Sequence, residues 1–366
     1  MVTKLLNKNL HLWLPAYIKQ ALSNHNIRQR PIHVIFALVD HFEPFWNKVS
    51  DDIACSRVKT WLERLPRISE KFKDTDGVSP RHTFFYPQEE YKYECLNMLA
   101  EICKQGFGDV EIHLHHDNDT PEGLQKKLID FKTILYEKHG LLRKYKKTGE
   151  ILYGFIHGNW ALDNSRRDGR WCGVNNELQI LKETGCYADF TLPSAPSETQ
   201  TRKINSIYYA KDDPDKPKSH DTGKDVEVGK QPNGDLMMIQ GPLTLNWSKR
   251  KWGLFPGIEN GSLTHNNPPA PERIDLWIRQ HIHVKRMLEW VFVKVYTHGV
   301  QEQNMDMLLN GGLEKMYTYL QERYNDGKNY VLHYVSAWEM YNVIKAAEAG
   351  ETGNPSEFRD YLMKKV

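Results

Sequence analysis

Short apolar runs alternate along this chain with longer segments of helical pattern, and this alternation limits the possible folds more than any other feature. The runs have the length and composition of buried β-strands, and they occupy residues 31–40, 81–87, 109–116, 151–158, 187–193, 235–243 and 292–299. Between most of them, apolar residues recur at intervals of three and four, which is typical of amphipathic helices. This order of elements predicts an α/β fold with a parallel sheet.

The same pattern divides the 366 residues into a large central region and two flanking helical regions. We predict an N-terminal helix within 1–30, a strand-and-helix domain over 31–300 and C-terminal helices over 301–366, with Gly350 as a helix stop. Residues 200–272 interrupt the alternation, because they are rich in Pro, Asp, Lys and Gly and lack a helical period. We expect them to form inserted hairpins near the face that binds substrate.

Composition and charge exclude several classes of protein. The 49 Lys and Arg residues balance 47 Asp and Glu residues, which leaves no broad basic field for nucleic acid. No apolar stretch reaches the roughly 18–20 residues that cross a membrane, and no signal peptide is recognisable. The five cysteines include no Cys-x-x-Cys pair, so we predict reduced, mostly buried thiols in a cytoplasmic protein.

Most of the predicted strands end in side chains that bind metals or transfer protons. These residues are Asp40, His41, Tyr86, His115, His116, His157, Asp189 and His298. In a β/α barrel, the carboxyl ends of the strands form the active face, so we expect one shared site there. The alternative is that strand ends are polar simply because they meet solvent.

The densest group of such side chains is the sequence EIHLHHDND at residues 111–119. On an extended strand, Glu111, His113 and His115 share one face and His116 lies on the other. Imidazole and carboxylate groups at this density suit a borderline divalent metal such as zinc. The alternative is a polar loop whose histidines bond to the backbone.

Further reactive groups follow the first and last strands. Asp40, His41 and Glu43 stand close together, and an acidic side chain beside a metal holds the cation or takes a proton from water. Asp40 has a second interpretation as a helix N-cap. The last strand ends in YTHG, where His298 is either a proton donor to a leaving group or an ordinary surface histidine.

The order of these motifs resembles the NodB-type polysaccharide deacetylases of carbohydrate esterase family 4. The first motif, the strand-two signature and the His-rich second motif are similar to ALVDH at 37–41, HTFFYP at 82–87 and EIHLHHDND at 111–119. The third, fourth and fifth motifs fall where this chain has FIHGNWALD at 155–163, TGCYADFTLP at 184–193 and VYTHG at 295–299. The resemblance covers about 31–300 outside the insertion.

This resemblance implies a distorted (β/α)7 barrel that removes an N- or O-acetyl group from a saccharide with the help of a divalent metal, for which zinc is expected. By position, it makes Asp40 the catalytic base and His298 the acid. The implied metal ligands are His41, His115 and Asp119, with Asp40, His113 and His116 as alternates.

The third motif departs from the family pattern, because it lacks Arg-Pro-Pro. The residues expected to contact substrate are Tyr86, His157, Asn159, Trp160 and Asp189, and the candidate platforms for sugar rings are Trp46, Trp160, Trp171, Trp247 and Trp252. Two other functions stay open: an amidohydrolase acting on a non-sugar C–N bond, and a carbohydrate-binding barrel without activity.

Overall fold

A computed structural model describes residues 8–22, 30–251 and 254–365 of this chain. They form a mixed α/β fold around a mostly parallel central sheet, as the alternation of elements predicts. The strands of these residues are β1 (Ile32–His41), β2 (His82–Pro87), β3 (Gly108–Leu114), β4 (Arg143–Tyr145), β5 (Ile151–His157), β6 (Cys186–Asp189), β7 (Ile207–Ala210), β8 (Lys224–Asp225), β9 (Leu236–Ile239), β10 (Thr244–Lys251), β11 (Phe255–Glu259), β12 (Ser262–Leu263), β13 (Trp290–Thr297), β14 (Tyr330–Tyr334) and β15 (Met363–Lys365). The α-helices are α1 (Leu10–Leu22), α2 (Asp51–Ser69), α3 (Tyr93–Lys104), α4 (Pro121–His139), α5 (Glu177–Glu183), α6 (Pro271–Arg279), α7 (Glu302–Met307), α8 (Leu313–Tyr324) and α9 (Ala337–Ala349).

All seven predicted strands are present, and they are neighbours in the order β13, β1, β2, β3, β5, β6 and β9. Each neighbouring pair in this series is parallel. Nearly every side chain of β1 and β13 is buried, because both faces of the sheet are covered. Such strands are continuous apolar runs rather than alternating ones, which explains why they are visible in the sequence.

The residues around Lys294 of β13 connect the two ends of this series of strands. The Lys294 ammonium group donates hydrogen bonds of 2.5 Å to the carbonyl oxygens of Phe190 and Leu192, which follow β6. A Cβ atom on Gly241, just after β9, would lie 2.5 Å from the Lys294 carbonyl oxygen. The chain that follows β6 and β9 therefore packs directly against β13.

The C-terminal region contains a strand that the sequence analysis does not predict. Helices α8 and α9 match the two expected helices, and Gly350 ends α9 in a left-handed conformation. Between them, β14 pairs with the first half of β1, on the edge where β2 pairs only from Leu38 onwards. A strand this short between two helices gives no clear periodic signal.

The insertion at 200–272 is rich in β-structure, as predicted. Strand β7 pairs antiparallel with both β8 and β9, and β10 pairs antiparallel with β11. The N-terminal helix α1 buries Trp13 in an apolar cluster with Ile204 and Leu243 of this region. The remaining parts of the predicted N-terminal helix, at 1–7 and 23–29, lie outside the described residues, as does Trp252.

Two predictions from composition can be compared with the structure. The structure forms no disulfide among the five cysteines, and four of them are buried, which confirms the predicted burial. Among the described residues, we find no helix whose length and apolar character would let it span a membrane.

Candidate metal centre

Four histidines meet one glutamate at the carboxyl edge of the sheet. We call this group the strand-end cluster, and it consists of His41, Glu43, His113, His115 and His298. His41 ends β1, His113 lies in β3, and His298 follows β13 directly. The parallel directions of these strands bring their carboxyl ends to the same edge, so residues far apart in sequence reach a common centre.

Glu43 is the centre of the strand-end cluster. Its Oε1 atom is 3.3 Å from Nε2 of His113 and 3.5 Å from Nε2 of His115. The ring of His298 stacks on the ring of His41 with 4.5 Å between centroids, and His41 is 5.1 Å from His113. Two sets of three residues overlap at Glu43. In one set, the donor atoms of His41, Glu43 and His298 lie within 4.8 Å of one another, and in the other the same holds for Glu43, His113 and His115. Each set is therefore compact enough to bind one metal ion.

The two histidines nearest to Glu43 are held in a defined orientation. The Nδ1 atom of His113 is 2.8 Å from the carbonyl oxygen of Ile156, and Nδ1 of His115 is 2.5 Å from Oε1 of Glu89. Because these acceptors bind the proton on Nδ1, Nε2 is the nitrogen of each ring that faces Glu43. Metal-binding histidines usually have this arrangement, with the distal nitrogen donating to a carbonyl or carboxylate oxygen.

Mutual charge interactions shift the pKa values of these side chains. Burial alone would raise the pKa of Glu43, but hydrogen bonds from His113 and His115 hold it well below its usual value. Burial alone would lower the pKa of His115, but Glu43 and Glu89 raise it to about 10. Burial and its imidazole neighbours lower the pKa of His41. A bound cation would therefore compete with the proton on His115 for the same nitrogen.

The strand-end cluster opens to solvent on one side. The side chains of His115 and Glu89 are 30% and 34% exposed. Trp160 lies beside two other members of the cluster, with its ring 6.1 Å from that of His41 and 6.0 Å from that of His298. Its indole Nε1 is buried and has no hydrogen-bond partner among the described residues. Buried polar groups normally have a hydrogen-bond partner, so this unpaired donor next to the cluster is unusual.

Asp40 lies on the opposite side of β1 from His41, as consecutive residues of a strand do. Its buried carboxylate accepts a hydrogen bond of 2.6 Å from the backbone N–H of Gly299 and faces Nε2 of His82 at 2.8 Å. The structure therefore does not bring Asp40 into the strand-end cluster, either as the predicted base or as the alternate ligand. Instead, Asp40 fixes the backbone next to His298.

We expect Asp40→Asn to lower the free energy of unfolding by about 1–3 kcal/mol, because buried His82 loses a charged acceptor. Urea denaturation measures this loss. Asp52→Asn, at an exposed position in α2, is the control and should change the same quantity by less than about 0.5 kcal/mol. Equal stability of the two variants would show that the contacts of Asp40 do not hold this part of the fold.

Asp119 is the predicted ligand that the structure separates most clearly from His115. Its Oδ2 atom is 3.0 Å from Nδ1 of His116 and accepts a hydrogen bond of 2.6 Å from the Lys127 ammonium group. His115 points instead toward Glu43. The predicted pairing of His115 with Asp119 is therefore not formed.

His116 belongs to a second group of potential ligands. We call it the closed cluster, and it consists of His116, His157, Cys172 and Glu177, all of which are buried. Nε2 of His116 is 2.8 Å from Nε2 of His157 and 3.2 Å from Oε1 of Glu177. The closed cluster thus contains His116, an alternate ligand, and His157, a predicted substrate-binding residue, and neither belongs to the strand-end cluster.

Trp160 is the predicted substrate-binding residue with a ring contact to the strand-end cluster. Asn159 precedes it in a short turn and has a φ of 54°. Tyr86 is buried and donates its hydroxyl proton to a backbone carbonyl. Asp189 is buried and accepts two hydrogen bonds from the threonine two residues later. Tyr86 and Asp189 therefore have structural partners within the described chain, and His157 lies in the closed cluster.

Three residues in or next to these clusters give no sequence signal that marks them as functional, namely Glu89, Cys172 and Glu177. Glu43, in contrast, is recognisable in the sequence because it follows Asp40 and His41. Glu89 lies in a short turn after β2, and Glu177 is the first residue of α5. Acidic and thiol side chains at helix starts and loops on the carboxyl edge are the signal that would have found them.

One more group with metal-binding residue types consists of Asp74, Asp76 and His333. Nδ1 of His333 is 2.7 Å from Oδ2 of Asp76, and Arg359 forms an ion pair of 2.9 Å with Asp74. These carboxylates already have hydrogen-bond and ion-pair partners within the chain, so we assign no ligand to this group.

Comparisons with known proteins do not identify this chain. No family model matches it, and no curated protein matches it significantly. The resemblance to the NodB-type deacetylases rests on the order of motifs, and the argument for function rests on the geometry of the strand-end cluster.

Proposed function

We propose that the protein is a metal-dependent hydrolase and that the strand-end cluster is its active site. The observation that carries this proposal is the orientation of His113 and His115, whose Nδ1 atoms face acceptors while their Nε2 atoms converge on Glu43. Catalytic zinc sites combine three protein ligands with an open position, and two histidines with a glutamate are one of their common sets. The exposed side of His115 supplies the access that such a site needs.

In this proposal, His113, His115 and Glu43 hold the ion, and His41 lies beside them. Zinc is the proposed ion because both imidazole nitrogen and carboxylate oxygen suit it. When bound, such an ion polarises a carbonyl group and lowers the pKa of water. Glu89 and the backbone carbonyl of Ile156 keep the two imidazoles in the orientation that binding requires.

His298 is the residue that we propose to transfer protons. Its ring stacks on His41 near Trp160, and no hydrogen bond fixes that ring in the part of the chain that the structure describes. A histidine without a fixed partner is able to accept a proton from the attacking water and return it to the leaving group. Asp40 acts as a positioning residue here, because it holds the backbone of Gly299 next to His298.

The proposed substrate is a saccharide that carries an N- or O-acetyl group. The order of the motifs supports this substrate class, and Trp160 adds a feature of the site itself. Its ring offers an apolar face beside His41 and His298, and its unpaired Nε1 suits a hydroxyl or carbonyl oxygen. A non-sugar amide is the competing substrate, and a test of both is described below.

The proposal includes a closed (β/α)7 barrel for the series of seven parallel strands. Support comes from Lys294 of β13, which contacts the chain segments that follow β6 and β9. In such a barrel, the strand-end cluster would lie at the face that carries active sites. The β-rich insertion would then shape the cleft on that face.

The proposal is tested by metal analysis and by acetate release from a panel of N- and O-acetylated sugars. We expect the parent to contain zinc and to release acetate from at least one member. Glu43→Gln and His113→Ala should each lose the metal of this site, and the rate should fall by at least roughly 100-fold because metal activation is lost.

Two surface substitutions are the matched controls. Glu63→Gln and His11→Ala change the same residue types at exposed positions on helices α2 and α1, and we expect parent metal content and rate in both. Parent metal content and rate in Glu43→Gln would contradict the assignment of the strand-end cluster. Cleavage of small amides without acetate release would replace the sugar substrate, and sugar binding without cleavage would make the protein a binding barrel.

A further inference from the structure

We infer that the closed cluster is a second metal site, in which His116, His157, Cys172 and Glu177 bind a structural zinc ion. This site is distinct from the proposed active site, because the two clusters share no residue. The inference does not depend on hydrolytic activity. It rests on the donor set, on the hydrogen bonds around it and on the burial of all four side chains.

The donor set and its spacing suit zinc. Two imidazoles, one thiol and one carboxylate are all zinc ligands, and the thiol makes magnesium or calcium a poor match. Donors at zinc distances of 2.0–2.3 Å in a tetrahedron are about 3.3–3.7 Å apart. Here Oε1 of Glu177 is 3.2 Å from His116 Nε2 and 3.6 Å from His157 Nε2, and Sγ of Cys172 is 3.4 Å from Glu177 Oε2.

The two imidazoles face each other in a way that a cation explains. Nδ1 of His116 faces the carboxylate of Asp119 at 3.0 Å, and Nδ1 of His157 faces the carbonyl oxygen of Gly158 at 2.6 Å. Both acceptors require a proton on Nδ1, so in the neutral rings both Nε2 atoms carry lone pairs. These two atoms are only 2.8 Å apart. A shared metal ion satisfies both of them, with the outer acceptors setting the ring orientation.

The sulfur of Cys172 is surrounded as a metal-bound thiolate would be. It accepts hydrogen bonds from the backbone N–H groups of Asn164 at 3.2 Å and Val174 at 3.4 Å. Donors of this kind stabilise negative charge on sulfur, and a neighbouring cation favours the thiolate as well. The thiol proton, which faces Oε2 of Glu177 at 3.4 Å and the carbonyl oxygen of Val174 at 3.5 Å, is the one that a bound metal ion would replace.

Burial indicates a structural rather than a catalytic role for this site. The side chains of His116, His157 and Glu177 are at most 1% exposed, and Cys172 is fully buried. A site with four protein ligands and no exposed edge leaves no position for substrate.

The position of the closed cluster explains what such an ion would stabilise. Its ligands come from the chain after β3, the end of β5, the loop over 158–176 and the start of α5. In that loop we find no α-helix or β-strand, and it carries Trp160. A Cβ atom on Gly158 would lie 2.2 Å from Cδ2 of His115, so this loop packs directly on the proposed active site. The ion would therefore fix the backbone that positions His115.

The decisive experiment is the absorption spectrum of the full-length protein loaded with Co²⁺ alone. A thiolate bound to Co²⁺ gives a charge-transfer band in the near ultraviolet, and the strand-end cluster contains no sulfur ligand. We expect this band in the parent, its complete loss in Cys172→Ser and its full retention in Cys186→Ser, the control at another buried cysteine. Absence of the band in the parent, or its persistence in Cys172→Ser, would overturn the inference.

A second variant keeps the test decisive if Cys172→Ser does not fold. Asp119→Asn removes the charged outer partner of His116, together with an ion pair to Lys127, and leaves all four proposed ligands in place. We expect the protein to bind Co²⁺ about 10- to 100-fold more weakly with the band retained. Unchanged affinity would count against the site. The Glu43→Gln variant should keep the band in full, so failure of the proposed active site and failure of this inference give different results.

Discussion

Replacement of His298 by alanine is expected to lower the turnover number by roughly 10²- to 10⁴-fold, the range typical of a missing proton-transfer group. The metal content should stay at the parent level. The reason is a difference between His298 and the two histidines proposed as ligands. His113 and His115 each have one ring nitrogen held by an acceptor, whereas the ring of His298 has no such acceptor among the described residues. Acetate release as a function of substrate concentration separates kcat from KM, and elemental analysis gives the metal content.

The pH profile distinguishes proton transfer from mere packing by His298. If the imidazole moves a proton, the alanine variant should lose one limb of the pH dependence of kcat as well as the rate. His11→Ala, at an exposed position on α1, is the control and should keep both limbs. A His298→Ala protein with parent turnover on a substrate with a poor leaving group would reduce His298 to a strand-end residue. Loss of the metal in that variant would make it a ligand instead.

Substitution of Glu259 by glutamine is expected to lower the free energy of unfolding by about 3 kcal/mol, near the lower end for a broken buried ion pair. Glu259 and Arg273 form two hydrogen bonds of 2.8 Å with side chains that are each 1% exposed. Glu259 also accepts from the indole N–H of Trp277 at 2.9 Å. Glutamine keeps the shape but leaves the Arg273 charge without an anionic partner.

Urea denaturation measures the effect of this substitution. Glu227→Gln is the matched control, because its partner Arg286 is 69% exposed and a pair that is open to solvent in this way should contribute less than about 1 kcal/mol. The buried pair of Glu259 and Arg273 connects the end of β11 to α6, so its loss should loosen the attachment of the insertion first. An equal and small effect of both substitutions would show that the buried pair does not stabilise the fold.

The sequence by itself determined the framework of this protein. A parallel strand that is covered on both faces must be apolar along its whole length, so β1 and β13 are visible as continuous runs. The helices between strands show their own period, because each one covers the sheet with a single face. Successive side chains of a strand also point to opposite faces, so Asp40 and His41 lie on opposite sides of β1. This is a local property that the sequence already contains.

Which side chains form the two candidate metal sites was decided only by the tertiary structure. The sequence marks His113, His115 and His116 as one dense motif, but the structure divides them between the strand-end and closed clusters. Their partners Glu43 and Glu177 come from other elements, and the distance along the chain says nothing about which atoms meet. The conformations of the loops decide which of these atoms meet. A loop has no regular period, so no sequence pattern reveals its conformation.

The strand β14 shows the same division between local and tertiary information. Strand β2 begins its pairing with β1 at Leu38, which leaves the preceding residues of β1 unpaired on that edge. The five residues of β14 pair with this part of β1. Hydrophobic period reports which face of an element is buried, and the sequence therefore predicted the α/β framework and the edge where reactive residues collect. Which strand fills a gap, and which side chains share one centre, depend on contacts between distant segments that no local pattern encodes.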